Sequence, residues 1–137
     1  MAGEIVLGYD GSDGAKYALG AAARLAGDLG ATLVPAFCFE PTPVGGEVGD
    51  YREALRELGE RVIGEAGDQV RAGGIEGDPR LVEDRPAPGR ARLAVELGAR
   101  MIVVGSSGER PLAGAILGAT PHKLLHIAET PVLVVRA

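Results

Sequence analysis

The sequence predicts an α/β fold, with one domain over residues 1–137 and an open, mostly parallel five-stranded sheet covered by helices on both faces. Short apolar segments alternate with helical segments in the order β-α-β-α-β-α-β-α-β, which favours right-handed crossovers between parallel strands. The clearest strand segments are continuous apolar runs, as in strands buried on both faces. The length of 137 residues lies in the commonest size range for a single domain.

The first half of the chain alternates strand and helix. Residues 5–9 are a short apolar run that ends in turn residues, which is typical of a buried strand. Apolar residues then recur with the helical period over residues 15–29, behind the capping pair Ser12-Asp13. The run 31–39 predicts a second strand. Within it, Pro35 indicates an edge position, a bulge or a local break, because proline has no N–H to donate.

A loop rich in proline and glycine is predicted between Glu40 and Gly49. It leads into a long amphipathic helix over residues 50–72 and a short strand over residues 80–83. The next helix begins at Pro86 and ends at Gly98.

Met101–Val104 is the clearest strand of the chain. A glycine-containing loop follows from Gly105 to Gly118, with a helical turn expected around residues 112–116. Thr120 is predicted to cap the last helix, and Val132–Val135 is the final strand.

Composition excludes several classes of protein. No apolar run is long enough to cross a bilayer, and the N-terminus lacks the basic and apolar regions of a signal peptide. The net charge is −5, and the arginines of residues 52–61 alternate with acids, so we expect no nucleic-acid binding. A single cysteine, Cys38, fits a reducing compartment. We therefore expect a cytoplasmic protein that contacts no membrane.

Two loops at the carboxyl ends of strands are candidates for a ligand site, because ligands of open α/β sheets bind there. Glycines let a backbone approach a phosphate closely, and helix N-termini favour anions. Asp10 suits ribose hydroxyls or Mg²⁺. The alternative interpretation is that Asp10 only forms a turn or caps a helix and that the glycines are ordinary turn residues. Neither a Walker A nor a G-x-G-x-x-G motif is present. The candidates are Asp10, Gly11 and Ser12 after strand one, Gly105, Ser106, Ser107 and Gly108 after strand four, and Gly118 and Thr120 at the last helix.

These residues resemble the universal stress protein family over the whole chain. The family's nucleotide motif is Gly, two residues, Gly, nine residues, Gly, then Ser or Thr, and Gly105, Gly108 and Gly118 stand at that spacing. Further similarities lie in the flanking segments 98–104 and 130–135, in the opening segment 5–12 and in Pro86.

The resemblance implies a Rossmann-like sheet in the order 3-2-1-4-5, which places Asp10 beside the glycine loop. It also implies ATP binding, with Asp10 near ribose and phosphates, the loop residues on the phosphates, and Cys38 against adenine. Arg110 is the one cation expected in that loop, and Mg²⁺ would reach Asp10 through the nucleotide. Members of the family commonly dimerise through the last strand, here Val132–Val135.

The sequence departs from the family motif at Ala119, where members have Ser or Thr. Losing that hydroxyl costs about 1.5–3 kcal/mol of binding, or roughly tenfold to a hundredfold, unless Thr120 replaces it. Three interpretations follow. The first is an ATP-binding regulator or sensor of the stress response with at most slow hydrolysis. The second is a non-nucleotide dimeric module for protein interaction or stress protection. The third is an enzyme of small-molecule metabolism, for which the sequence offers no catalytic constellation.

Overall fold

The computed structural model describes residues 3–40, 48–106 and 117–136. Their strands and helices alternate throughout, as the hydrophobic pattern predicts. The elements are β1 (Glu4–Gly8), α1 (Asp13–Leu29), β2 (Thr32–Phe39), α2 (Val48–Ala72), β3 (Arg80–Glu83), α3 (Pro86–Leu97), β4 (Met101–Gly105), α4 (Ala119–Ile127) and β5 (Val132–Val135).

The five strands form one parallel sheet in the order β3-β2-β1-β4-β5, so the expected fold and strand order are confirmed. Side chains that alternate along each strand enter two separate cores. Ile5, Leu7 and Val103 pack against α1 and α2, whereas Val6 and Ile102 pack against α3 and α4. Helix α1 follows β1 on one face, and α4 follows β4 on the other. The chain therefore changes sides between β1 and β4, which is where open α/β sheets bind ligands.

Helix α1 begins and ends as its sequence predicts. The Ser12 hydroxyl accepts a hydrogen bond from the Ala15 N–H at 3.2 Å, which satisfies one of the free donors of the first turn. Gly30 ends the helix in the left-handed conformation. Helix α2 begins at Val48, two residues before the predicted start. Of the loop expected between Glu40 and Gly49, residues 41–47 lie outside the described residues, as does the helical turn expected at 112–116.

Pro35 lies inside the sheet, because β2 pairs with both β1 and β3, so the edge position considered for it is wrong. The N–H and carbonyl groups of Leu33 both bond to the segment before β3, at 2.9 Å each. Since backbone groups alternate sides along a strand, the Pro35 nitrogen faces the same way. On that side, Leu33 forms a bridge with Gly77, and regular pairing of β2 with β3 begins only at Ala36 and Arg80, so Pro35 lies in the interruption between them. Pro35 thus occupies a local break where no donor is required.

Strand β5 pairs with β4 alone in the described part of the chain, and Leu133 is 42% exposed. Of the helices in residues 3–40, 48–106 and 117–136, none has both the length and the hydrophobicity to span a membrane.

Candidate functional site

The first loop of the site is a tight turn at the end of β1. The Asp10 Oδ1 accepts a hydrogen bond from the Ser12 N–H at 2.9 Å, and Gly11 has a φ of +81° that most side chains disfavour. Ser12 then caps α1. Asp10 is exposed, so its carboxylate is held at the carboxyl edge of the sheet and is accessible to a ligand.

The second loop begins at Ser106, directly after β4, where two backbone hydrogen bonds hold the chain. The Ser106 N–H donates to the carbonyl oxygen of Val135 at 2.9 Å, and the Ser106 carbonyl accepts from the Gly118 N–H at 2.7 Å. The bond between Ser106 and Gly118 brings the end of β4 and the start of α4 together, although eleven residues lie between these two in the sequence. The first and third glycines of the motif, Gly105 and Gly118, therefore lie close to each other.

Helix α4 begins without a capping side chain. Gly118 has an extended backbone (φ −69°, ψ 170°) and occupies the N-cap, so the prediction that Thr120 caps this helix is wrong. Ala119 and Thr120 are instead the first two helical residues, and Pro121 follows in the first turn, where its missing N–H has no cost. The positive end of the helix dipole therefore faces the carboxyl edge of the sheet, beside the second loop.

The two loops meet at Gly105. A Cβ atom built on Gly105 would lie 2.9 Å from the carbonyl oxygen of Gly14, in the first turn of α1. The absence of a side chain at Gly105 therefore allows the end of β4 to pack directly against the start of α1. The described candidates Asp10, Gly11, Ser12, Gly105, Ser106, Gly118, Ala119 and Thr120 thus form one cluster across the β1–β4 boundary.

Cys38 lies at the neighbouring strand end. Gly8 pairs with Ala36 in the register of β1 and β2, which brings Cys38 level with Asp10. Its half-buried side chain contacts the core beneath α3, as expected for a small apolar residue. Burial raises the pKa of the Cys38 thiol, an effect that the positive charge of Arg90 partly opposes. The thiol is therefore neutral near pH 7.

Arg90 is a residue of this region that sequence reasoning missed. It lies on the buried face of α3, is only 7% exposed, and reaches beneath the end of β1. Burial lowers the pKa of its guanidinium, while Cys38, which makes a side-chain hydrogen bond with Arg90, and the Asp10 carboxylate act in the opposite direction. A signal was present, because Arg90 stands three residues after Ala87 and three before Leu93, both on the apolar stripe of α3.

Three predicted site residues, Ser107, Gly108 and Arg110, lie outside the described part of the chain. Within that part, no three His, Cys, Asp or Glu side chains are grouped so that they could hold a metal ion. Any cation at Asp10 would therefore depend on ligand oxygens for most of its coordination.

Comparisons of the sequence with known proteins agree on one family. The sequence profile described as "Universal stress protein family" matches residues 1–136. A universal stress protein of Thermus aquaticus, encoded in a QAH/OAS sulfhydrylase 3′ region, is 35% identical over 135 residues, covering 96% of this chain and 97% of that protein. Universal stress protein Rv2005c of Mycobacterium tuberculosis is 31% identical over 134 residues, and there the chain matches 96% of its own length but 45% of the relative's.

Among solved structures, a universal stress protein in complex with cAMP superposes with a TM-score of 0.79 and 28% identity, covering 98% of both chains.

Proposed function

Since the chain belongs to the universal stress protein family, we propose that it binds an adenine nucleotide, ATP in the first place, and acts as a nucleotide-dependent regulator or sensor in a stress response. One observation carries the proposal: the Asp10 turn, the Gly105-Ser106 strand end and the uncapped start of α4 converge at the β1–β4 boundary. This boundary is where the chain changes faces of the sheet, the general ligand position of such folds.

Each part of the cluster suits a different part of the nucleotide. The exposed Asp10 carboxylate is an acceptor for ribose hydroxyls, or for Mg²⁺ carried by the phosphates. The start of α4 offers N–H donors and a positive dipole to a phosphate, and the Ser106 and Thr120 hydroxyls add donors. We place adenine near Cys38 and the phosphates on the loop that includes Ser107, Gly108 and Arg110. The cAMP bound to the related structure supports an adenine nucleotide as the ligand class.

A second candidate function follows from Ala119, whose methyl group replaces a hydroxyl at the exposed start of α4. Without that donor, the chain would act as a dimeric module for protein interaction or stress protection. We also infer a cytoplasmic location, because a single cysteine fits a reducing compartment. Hydrolysis of ATP is expected to be slow or absent, because the described site offers no group placed as a general base.

Nucleotide binding is tested with the purified protein in two ways. Heat-released small molecules are identified by mass spectrometry, and the ligand-free protein is titrated with Mg-ATP, AMP and cAMP by calorimetry. We expect ATP binding in about the micromolar range, weakened roughly tenfold to a hundredfold by Asp10→Asn. This variant keeps an oxygen that can accept from the Ser12 N–H but removes the charge.

Asp28→Asn is the matched control, because it makes the same charge change on an exposed residue at the far end of α1. Its affinity should equal that of the unmodified protein. Absence of released nucleotide together with no heat of binding at millimolar ATP would refute nucleotide binding and favour the interaction module.

For assembly, we propose a homodimer through β5, whose apolar outer edge is a pairing liability in a monomer. Leu133→Lys should shift the protein from dimer to monomer in size-exclusion chromatography with light scattering. Leu125→Lys, which changes a similarly exposed leucine on α4, should leave the dimer intact. A monomeric unmodified protein at tens of micromolar would contradict the proposal.

A further inference from the structure

We propose that Arg90 is a nucleotide-binding residue of this site, whose buried guanidinium donates hydrogen bonds to an acceptor atom of the bound ligand. This inference rests on the proposed function and extends it to a residue that stands outside the glycine motif and the Asp10 turn. It is carried by the cavity in which the guanidinium lies, its unpaired nitrogen and its position beside the described cluster.

The cavity for Arg90 is built by a glycine. A Cβ atom on Gly8 would lie 2.7 Å from both the Cζ and the Nε atoms of Arg90, and 2.9 Å from the Cγ1 of Val104. Any larger residue at Gly8 would therefore collide with the guanidinium. Gly8 is the last residue of β1, so the guanidinium lies near the carboxyl edge of the sheet, and Asp10 follows Gly8 by two residues.

The guanidinium of Arg90 is buried although its hydrogen-bond donors are only partly satisfied. The Arg90 side chain hydrogen-bonds Cys38, but a thiol sulfur is a weak acceptor, and the buried Nε atom has no partner among the described residues. Neighbouring arginines behave differently, since Arg85, which precedes α3, pairs with Glu40, and Arg92 of α3 pairs with Asp84 and Glu96 at the surface. A buried charge with an unsatisfied donor is costly, and such a cost is typical of a binding residue whose partner is a ligand.

The position of Arg90 lies within the proposed nucleotide site. Cys38 and Asp10 lie near the carboxyl ends of β2 and β1, and the Arg90 side chain hydrogen-bonds Cys38 and interacts electrostatically with Asp10. A guanidinium can only donate hydrogen bonds, so its ligand partner must be an acceptor. In a nucleotide, the acceptors are the ring nitrogens of the base, the ribose oxygens and the phosphate oxygens.

Arg90→Met tests this role, because methionine fills the cavity without a charge or a donor. Thermal melting of the ligand-free variant and calorimetric titration with adenosine, AMP and Mg-ATP are measured in parallel. We expect the melting temperature to stay equal or to rise, because a buried charge with an unsatisfied donor is removed. We expect the affinity for Mg-ATP to fall at least tenfold. A merely structural arginine would give the opposite result, a lower melting temperature with unchanged affinity.

Comparing the loss of affinity among the three ligands identifies the part of the nucleotide that Arg90 contacts. An equal loss for adenosine, AMP and Mg-ATP would support a contact to base or ribose, and a loss confined to the two phosphorylated ligands would support a contact to phosphate. Arg92→Met, on the same helix with its side chain 52% exposed, is the matched control and should change affinity less than twofold.

Two outcomes overturn the inference. Unchanged affinity of Arg90→Met for all three ligands would refute it while leaving the proposed function intact, whereas no nucleotide binding by the unmodified protein would refute both. Should Arg90→Met fail to fold, Arg90→Lys decides, because lysine keeps the charge but lacks the Nε donor. Weaker nucleotide binding by Arg90→Lys would then support the role of the guanidinium. An affinity equal to that of the unmodified protein would refute it.

Discussion

Two groups of glycines in this chain have different surroundings. At the carboxyl edge of the sheet, a Cβ atom on Gly105 would meet the Gly14 carbonyl oxygen at 2.9 Å, and one on Gly8 would meet Arg90 at 2.7 Å. On the helices, a Cβ atom on Gly20 of α1 or Gly64 of α2 would have no atom within 4 Å. The edge glycines thus permit close packing around the proposed site, whereas these helical glycines fill no comparable role.

The chain has 22 glycines, and this difference distinguishes those that close packing requires from those that the structure does not require. A glycine that allows close approach cannot be replaced without moving its neighbours. A glycine in an open helical position only lowers helix stability, by about 0.5–1 kcal/mol relative to alanine. Position in the fold, rather than glycine content, therefore identifies the functional glycines.

The largest effect is expected for Gly105→Ala. The added methyl group would meet backbone atoms of α1, which cannot rotate away as a side chain can, so β4 and α1 must separate. We expect a loss of about 1–3 kcal/mol in the free energy of unfolding, measured by urea denaturation. The two loops of the site would move apart as well, so nucleotide affinity should fall by at least tenfold in calorimetry.

Gly20→Ala is the control for Gly105→Ala, since it adds the same methyl group on an exposed turn of α1. It should leave nucleotide affinity unchanged. Full stability and full affinity in Gly105→Ala would show that β4 and α1 need not approach as closely as the structure has them.

Local patterns in the sequence predicted most of the fold. The continuous apolar run of β4 and the Ser12 cap of α1 are determined by neighbours in the chain, and both have their expected places. Pro35 was ambiguous, because whether a strand lies at an edge depends on which other strands pair with it. The start of α4 was misassigned for a related reason. Threonine is a common cap, but the Ser106–Gly118 hydrogen bond makes Gly118 the residue that precedes the helix.

The site was predictable where it follows a motif and not where it depends on packing between distant elements. Asp10 and Gly105 stand in loops whose position follows from strand order. Arg90 stands on a helix between two prolines and a glycine, and only the packing of α3 against β1 shows that its guanidinium lies beneath Gly8. Single arginines on helices are usually solvated, so the apolar stripe of α3 alone gave a weak signal.

A smaller effect on stability is expected for the helical glycines, and two glycines of α2 allow it to be tested. Gly64 and Gly67 lie three residues apart on α2, but a Cβ atom on Gly67 would stand 2.8 Å from the Cγ of Pro79. Gly64→Ala should therefore raise the free energy of unfolding by about 0.5–1 kcal/mol, and the melting temperature by roughly 2–4 °C. Gly67→Ala gains the same helix propensity but must displace Pro79, so it should give no increase or a decrease in stability. Equal stabilisation by both substitutions would mean that α2 can shift to accept a methyl group at Gly67, and the distances around the helical glycines would then not decide which of them are required.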